Sequence, residues 1–155
     1  MKHAHSLFFD LYGTTLNTDQ ENFATSHQWH NTLKPYECMP DVLSMLSKEY
    51  NIGFIAVGKN LNSNLTKKLL DRYVPKCDFT VYDEQILSGK SKFDFMKEPQ
   101  QKTLAYFSSS VEEVLKMQDE IPSYLFDPHK VHDSVVSIHY KVNGWEKIGK
   151  IYLHN

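Results

Sequence analysis

The chain has 155 residues, of which 41% are hydrophobic, and its 17 lysines and arginines against 19 aspartates and glutamates give a formal net charge of -2. A chain of this length buries roughly 70% of the surface that its unfolded form exposes, so a core can form without disulfide or metal cross-links. The even charge balance argues against nucleic acid as a partner, and no apolar run approaches the ~20 residues that a membrane-spanning helix needs.

The two cysteines indicate a reducing compartment. Cys38 and Cys77 stand alone, without a C-x-x-C pair or histidines at the spacing of zinc ligands. Isolated cysteines are more typical of intracellular proteins than of disulfide frameworks. The first residues lead straight into a strand-like run and show no secretion signal. We therefore predict a cytoplasmic protein with a single domain over residues 1–155.

Strands and helices are predicted to alternate along the chain. The apolar run at residues 6–9 ends at Asp10 and is followed by a turn through Gly13, which indicates a buried strand. Residues 16–38 lack a clear period, apart from one short helix predicted near residues 23–29. Further strands are predicted at residues 51–57, 77–81, 103–107 and 123–126, and helices at residues 40–50, 61–73, 92–97 and 111–121.

This alternation predicts a three-layer, doubly wound α/β sandwich, because parallel strands need crossover connections that cover both faces of the sheet. The C-terminal segment is predicted to differ. Asn143 and Gly144 favour a two-residue turn, so residues 135–153 are expected to form a β-hairpin. An isolated hairpin is marginally stable, so it must dock within the chain or on a second copy, which would give a homodimer.

Ligands of parallel sheets bind at the carboxyl ends of the strands, where this sequence places Asp10, Gly58 and Ser108. Asp10 could act as a covalent nucleophile, giving an ester or an acyl phosphate that water then opens. An aspartate close before a glycine is also common in turns, so a structural role for Asp10 stays open.

The sequence around Asp10 resembles a known family. Residues 8–14, Phe-Phe-Asp-Leu-Tyr-Gly-Thr, are similar to the first motif of the haloacid dehalogenase-like (HAD) superfamily, in which a strand ends in a nucleophilic aspartate. Segments that resemble the other three motifs follow in the family's order, at residues 58–60, 89–94 and 106–113. The resemblance covers about residues 6–127. It implies a HAD-type sandwich, without a sizeable cap because only residues 16–38 are available for one.

The resemblance implies catalytic roles for three residues. Asp10 would be the nucleophile, Lys92 the cation beside it, and Glu113 the acid that activates the hydrolytic water. Lys90 is an alternative to Lys92. Glu113 is also explained by a capping box with Ser110 at the start of a predicted helix.

The matching positions that would bind the substrate are Tyr12, Thr14, Gly58, Lys59, Ser108 and Ser109. Tyr12 stands where phosphatases of the superfamily carry a second aspartate, and it is the residue of the halide-cleaving branch. Ser109 replaces an aspartate that normally helps to hold magnesium, so a magnesium ion would be left with Asp10. Without a cation, Asp10 at ~4 Å from a phosphate costs about 4 kcal/mol per charge pair, which argues against an efficient magnesium-dependent phosphatase.

Two functions follow from these observations. The chain is either a HAD-like hydrolase of phosphatase or dehalogenase type, acting on an unknown substrate through an aspartyl-enzyme intermediate, or a catalytically inactive HAD-like domain that binds a protein partner. The second alternative is motivated by departures from the family pattern at Gly58, Ser109, Phe93 and Phe95.

Overall fold

The computed structural model describes residues 2–17, 33–57 and 63–153, apart from the side chains of residues 63 and 65. Its strands are β1 (Ser6–Asp10), β2 (Leu16–Asn17), β3 (Lys34–Pro35), β4 (Asn51–Ala56), β5 (Phe79–Asp83), β6 (Thr103–Ser108), β7 (Ser123–Phe126) and β8 (Tyr140–Val142). Its α-helices are α1 (Met39–Leu46), α2 (Ser63–Tyr73), α3 (Glu84–Leu87), α4 (Lys92–Lys97), α5 (Val111–Met117) and α6 (Trp145–Tyr152), with a 3₁₀ turn at Pro99–Gln101.

Six strands form one parallel sheet in the order β5-β4-β1-β6-β7-β8. The strand order changes direction at β1, since the chain continues to β4 on one side and later to β6 on the other. In such sheets the crevice for ligands lies at this switch point, beyond the carboxyl end of the central strand. Strands β2 and β3 pair antiparallel outside this sheet.

Helices cover both faces of the sheet. On one face, Phe9 packs with Leu43 of α1, Leu70 of α2 and Trp145 of α6. The opposite face packs β1, β6 and α3–α5 together through Phe8, Leu87, Phe95, Tyr106 and Met117. The doubly wound α/β class predicted from the sequence is therefore confirmed.

The C-terminal hairpin predicted for residues 135–153 is wrong. Only Tyr140–Val142 form a strand, which pairs parallel with β7, and residues 145–152 form helix α6. Gly144 adopts extended backbone angles (φ 173°, ψ 169°), so the Asn-Gly pair does not make the left-handed turn that a two-residue hairpin requires. The homodimer stays a prediction, without this hairpin as its interface.

Helical spacing explains why the return segment is a helix. The buried residues of this helix recur at helical spacing and face the core: Trp145, Ile148, Gly149 and Tyr152. Trp145 stacks on Phe9 with ring centroids 4.8 Å apart. This apolar stripe is buried only when the segment is helical, because a strand would turn alternate residues of the set away from the core.

The remaining differences in element bounds are small. Strand β5 begins two residues later than predicted, and the short helix α3 was not predicted. The helix expected near residues 23–29 and the start of the helix expected at residue 61 lie outside the described residues. Within the described ranges, no helix has both the length and the apolar character to cross a membrane.

Candidate active site

Asp10 is the last residue of β1, the strand at the switch point of the sheet. Main-chain contacts fix the turn that follows: the Leu11 amide donates to the Ile55 carbonyl at 3.0 Å, and the Thr15 hydroxyl donates to the Asp10 carbonyl at 3.1 Å. Because side chains alternate along a strand, Asp10 lies on the same face as Phe8, toward α4 and α5. The sheet therefore directs the carboxylate between the elements that carry Lys92 and Glu113.

Three side chains donate hydrogen bonds to the Asp10 carboxylate. The Lys92 ammonium lies 3.0 Å from Oδ1, and the Tyr106 hydroxyl lies 2.7 Å from the same oxygen. The Ser108 hydroxyl lies 2.6 Å from Oδ2. The side chains of Asp10 and Lys92 are each only 15% exposed, so this ion pair is shielded from much of the surrounding water. The structure thus brings Asp10, Lys92 and Ser108 together, while the catalytic and substrate-binding roles expected of them stay predictions.

Lys92, rather than Lys90, is the cation of this site. Lys92 is the first residue of α4, and the Ser91 hydroxyl caps that helix by accepting from the Asp94 amide at 3.1 Å. Lys90 instead forms an ion pair with Glu98. The cap places the Lys92 side chain at the carboxyl edge of the sheet.

Glu113 lies at the margin of the site. Its carboxylate is 3.9 Å from the Lys92 ammonium, and its side chain is 32% exposed. Its amide donates to the Ser110 hydroxyl at 3.3 Å, which is half of the predicted capping box. Lys92 therefore bridges two carboxylates, one shielded and one in contact with solvent.

Tyr106 is a site residue that the sequence analysis did not single out. It is fully buried on β6, and its hydroxyl contacts both Asp10 and Lys92. Burial first, and the negative charge of Asp10 second, raise the pKa of Tyr106 well above its ordinary value. Strand alternation was a signal for it, because residues two apart share a face and Tyr106 precedes Ser108 by two.

The two serines of the fourth motif differ in their roles. The Ser108 hydroxyl, besides donating to Asp10, accepts from the Ser110 amide at 3.0 Å, so its orientation is fixed from both sides. Between Ser109 and Asp10, no hydrogen bond is found in the described part of the chain. The substrate-binding role expected for Ser109 stays a prediction.

Tyr12 and Thr14 form contacts with the surrounding fold rather than with Asp10. The Tyr12 hydroxyl lies 2.7 Å from the Thr66 hydroxyl on α2, and burial raises the pKa of Tyr12. The Thr14 carbonyl accepts from the Trp145 indole at 2.9 Å. The Thr14 hydroxyl is buried and has no partner among the described residues. Of the other predicted substrate contacts, Gly58 and Lys59 lie outside the described residues.

An open cleft of about 520 Å³ adjoins the site. Lys92 and Glu113 line it together with Lys116, while Leu87, Phe93 and Met117 form an apolar wall. The cleft can accept a small organic molecule that reaches Lys92 and Glu113.

The donor set around Asp10 does not fit a magnesium ion. Magnesium prefers an octahedral shell of carboxylate, carbonyl and water oxygens. Here Asp10 meets an ammonium, a phenol and a hydroxyl that all donate to it, so donors take three of the four acceptor positions of its carboxylate, and the nearest cation is already the Lys92 ammonium. Within the described ranges, no group of three histidine, cysteine, aspartate or glutamate side chains could hold a metal.

Comparison with solved structures shows the HAD-type fold. The chain superimposes with a TM-score of 0.64 on YfnB from Bacillus subtilis, which is described as a HAD-hydrolase and was solved bound to magnesium. The match has 12% sequence identity and covers 99% of this chain and 100% of that chain. No family model and no curated protein sequence matches the chain. At this identity the likeness extends to the fold, while the chemistry has to be argued from the site.

Proposed function

We propose that the chain is a hydrolase that attacks an electrophilic carbon with Asp10 and needs no divalent metal. The observation that carries this proposal is the partly shielded pair in which the Lys92 ammonium lies 3.0 Å from the Asp10 carboxylate at the switch point of a HAD-type sheet. Asp10 ends the central strand, and its partner Lys92 lines the adjoining open cleft, so a substrate in the cleft would lie next to the carboxylate's ion pair.

Charge favours a carbon centre over a phosphate. Asp10 and Glu113 carry two negative charges, and Lys92, which lies near both, offsets one of them. Lys116 also lines the cleft, but it forms no ion pair with Asp10 among the described residues. When a substrate brings a negative charge to ~4 Å from an unpaired carboxylate, the electrostatic repulsion is about 4 kcal/mol at an effective dielectric near 20. An electrophilic carbon that carries no charge at the reacting atom avoids this repulsion.

The first step forms an ester on Asp10. A carboxylate oxygen bonds to the electrophilic carbon while the bond to the leaving group breaks, and the leaving group departs with the bonding electrons. Lys92 holds the carboxylate in place, and the apolar wall of the cleft would contact the apolar part of the substrate.

The second step returns Asp10 to its starting form. Water adds to the carbonyl carbon of the ester, and Glu113 takes the proton that the water loses. The bond between the Asp10 carbonyl carbon and the alkoxide oxygen then breaks, and the alkoxide leaves as an alcohol with the proton from Glu113. Asp10, now a carboxylic acid, releases its proton to the solvent and is again a carboxylate. Glu113 suits this role because its side chain is in contact with solvent and lies 3.9 Å from Lys92.

A binding domain without catalysis is the second candidate. It is favoured by the contacts of the first motif, since the Tyr12 hydroxyl contacts Thr66 and the Thr14 carbonyl contacts Trp145. Both residues thus contribute to the fold at positions where the family binds substrate. In that case the cleft beside Lys92 would hold a segment of a protein partner.

A substrate screen in the presence and absence of metal separates these proposals. The panel contains 2-haloacids, phosphate esters and acyl phosphates, each with EDTA and with magnesium. We expect turnover of a haloacid in EDTA that magnesium does not increase. Asp10→Asn should abolish it, and Asp41→Asn, at an exposed position on α1, should leave it unchanged.

Other outcomes would reject the proposal. Turnover of phosphate compounds that requires magnesium would contradict the metal-free mechanism. Turnover that survives Asp10→Asn would remove the nucleophile. A chain inert toward the whole panel would favour the binding domain.

A further inference from the structure

The contacts of the Asp10 carboxylate are unequal at its two oxygens. A carboxylate oxygen offers two acceptor positions in the plane of the group. At Oδ1, both positions are taken, by the Tyr106 hydroxyl at 2.7 Å and by the Lys92 ammonium at 3.0 Å. At Oδ2, the Ser108 hydroxyl at 2.6 Å is the donor found among the described residues. One acceptor position of Oδ2 is therefore left for an electrophile.

Tyr106 links the groups that create this inequality. Its hydroxyl has one proton, which it donates to Asp10, and it accepts from the Lys92 ammonium at 3.1 Å. The ammonium also lies 5.6 Å from the centre of the Tyr106 ring, within the range of a cation–π contact. Three groups, Asp10, Lys92 and Tyr106, thus form a closed triangle of hydrogen bonds.

We propose, on the basis of the hydrolase proposed above, that Tyr106 is a positioning residue that ties Oδ1 to Lys92 and leaves Oδ2 as the attacking oxygen. The ring is fully buried between β1 and the α4–α5 layer, so its hydroxyl cannot swing away from Asp10 without disturbing the core. Without this hydroxyl, Oδ1 would regain an open acceptor position and the carboxylate could turn about its Cβ–Cγ bond.

The protonation of Tyr106 is consistent with this role. Burial raises the pKa of its phenol well above the ordinary value, and the nearby Asp10 charge acts in the same direction. The phenol therefore keeps its proton over the pH range in which enzymes work and remains a hydrogen-bond donor to Asp10.

Tyr106→Phe tests the role, because it removes one oxygen and keeps the buried ring. Tyr82→Phe is the matched control, since Tyr82 packs against the same core cluster without a contact to Asp10. Both variants are compared with the wild type in kcat, KM and melting temperature, with the haloacid substrate in EDTA. In parallel, protein labelled with ¹³C at the aspartate carboxyl carbon is used to follow the Asp10 resonance, assigned by its loss in Asp10→Asn.

We expect Tyr106→Phe to lower kcat by roughly 10- to 100-fold, the effect of one hydrogen bond to a charged group, with little change in KM. The Asp10 carboxyl resonance should move in Tyr106→Phe and stay in place in Tyr82→Phe. A residue that only fills the core would alter the melting temperature without this split between kcat and KM.

The failures of the two proposals are distinct. An active wild type with an equally active Tyr106→Phe variant would overturn the role of Tyr106 alone. A wild type without turnover would overturn the proposed hydrolase, and the resonance comparison would then decide on its own whether Tyr106 orients Asp10. An unchanged Asp10 resonance in Tyr106→Phe would overturn the positioning role.

Discussion

The Asp10–Lys92 pair combines a structural and a chemical role in one contact. Both side chains are largely shielded, and the sheet edge and the Ser91 cap place them together. Removing one partner of a buried pair leaves the other charge without compensation, which costs more than the pair itself contributes. The stability of the fold therefore reports on the geometry of the site.

A double-mutant cycle measures this coupling. We expect Asp10→Asn or Lys92→Met alone to lower the free energy of unfolding by about 2 to 4 kcal/mol, with a coupling energy of about 1 to 3 kcal/mol in urea titrations. The control pair is Glu146–Lys150 on α6, separated by 3.5 Å with side chains 74% and 72% exposed, whose coupling should stay below about 0.5 kcal/mol. Equal coupling energies in the two pairs would contradict the claim that the Asp10–Lys92 pair is shielded from water.

At the residue scale, the sequence marked Asp10, Lys92, Ser108 and Glu113 as candidate site residues, and their roles stay predictions. These residues lie together because Asp10 and Ser108 end neighbouring strands, and Lys92 and Glu113 lie in the first turns of helices that a serine caps. Tyr106 was missed because a tyrosine within an apolar strand also fits the core, although its position two residues before Ser108 placed it on the same face of the strand. Its partner, Asp10, is 96 residues away in the sequence.

Among the elements, β4 shows how closely the sheet is packed behind the site. Gly53 of β4 lies beside Phe8 of β1, two residues before Asp10. A Cβ atom at Gly53 would lie 2.6 Å from the Phe8 ring and 3.0 Å from the Tyr82 ring. The ring of Phe8 is fixed between Tyr82 and Phe95, so it has little room to move.

Gly53→Ala should therefore destabilise the protein by about 1 to 3 kcal/mol through overpacking. Gly149→Ala on α6 is the control, because a Cβ atom there would lie at 3.4 Å from Val42, close to ordinary contact, and alanine favours the helix by roughly 0.5 to 1 kcal/mol. Chemical denaturation of both variants checks this. A Gly53→Ala variant as stable as Gly149→Ala would show that Phe8 and the neighbouring strands can shift to make room for the added methyl group.

The sequence analysis predicted a hairpin strand where the structure has helix α6. Alternating residues around 135–142 and the Asn-Gly pair are typical of a hairpin. Such local patterns carry no information about the part of the fold against which the segment packs. The burial of Trp145, which stacks on Phe9 and donates to Thr14, is a tertiary contact that decides the helix. The parallel strands, in contrast, were predictable because short apolar runs separated by helical periods permit few arrangements.

For the whole molecule, tyrosines with raised pKa values are expected to make stability fall at alkaline pH. Burial raises the pKa of Tyr12, Tyr50, Tyr82, Tyr106 and Tyr152 above the ordinary 10.0. The folded chain thus keeps protons that the unfolded chain releases above pH 10. Stability is fully present below that pH and falls as the pH rises further.

Tyr152→Phe should weaken this pH dependence. It removes a phenol whose pKa is raised chiefly by burial, so the loss of unfolding free energy above pH 10 should be less steep by up to about 1.4 kcal/mol per pH unit. Tyr140→Phe, at a half-exposed ring, serves as the control. The measurement is urea unfolding at intervals from pH 8 to pH 12. If the unfolding free energy of Tyr152→Phe fell with pH as steeply as that of the wild type, the Tyr152 phenol would not contribute to the pH dependence.

The central claim is that Asp10 forms an ester that water opens, without a metal. Turnover in H₂¹⁸O with EDTA, followed by mass spectrometry of the peptide that contains Asp10, tests it most directly. Because water adds to the carbonyl carbon of the ester, the account predicts that the Asp10 carboxylate gains ¹⁸O during turnover. Label found in the product with an unlabelled Asp10 peptide after many turnovers would contradict it.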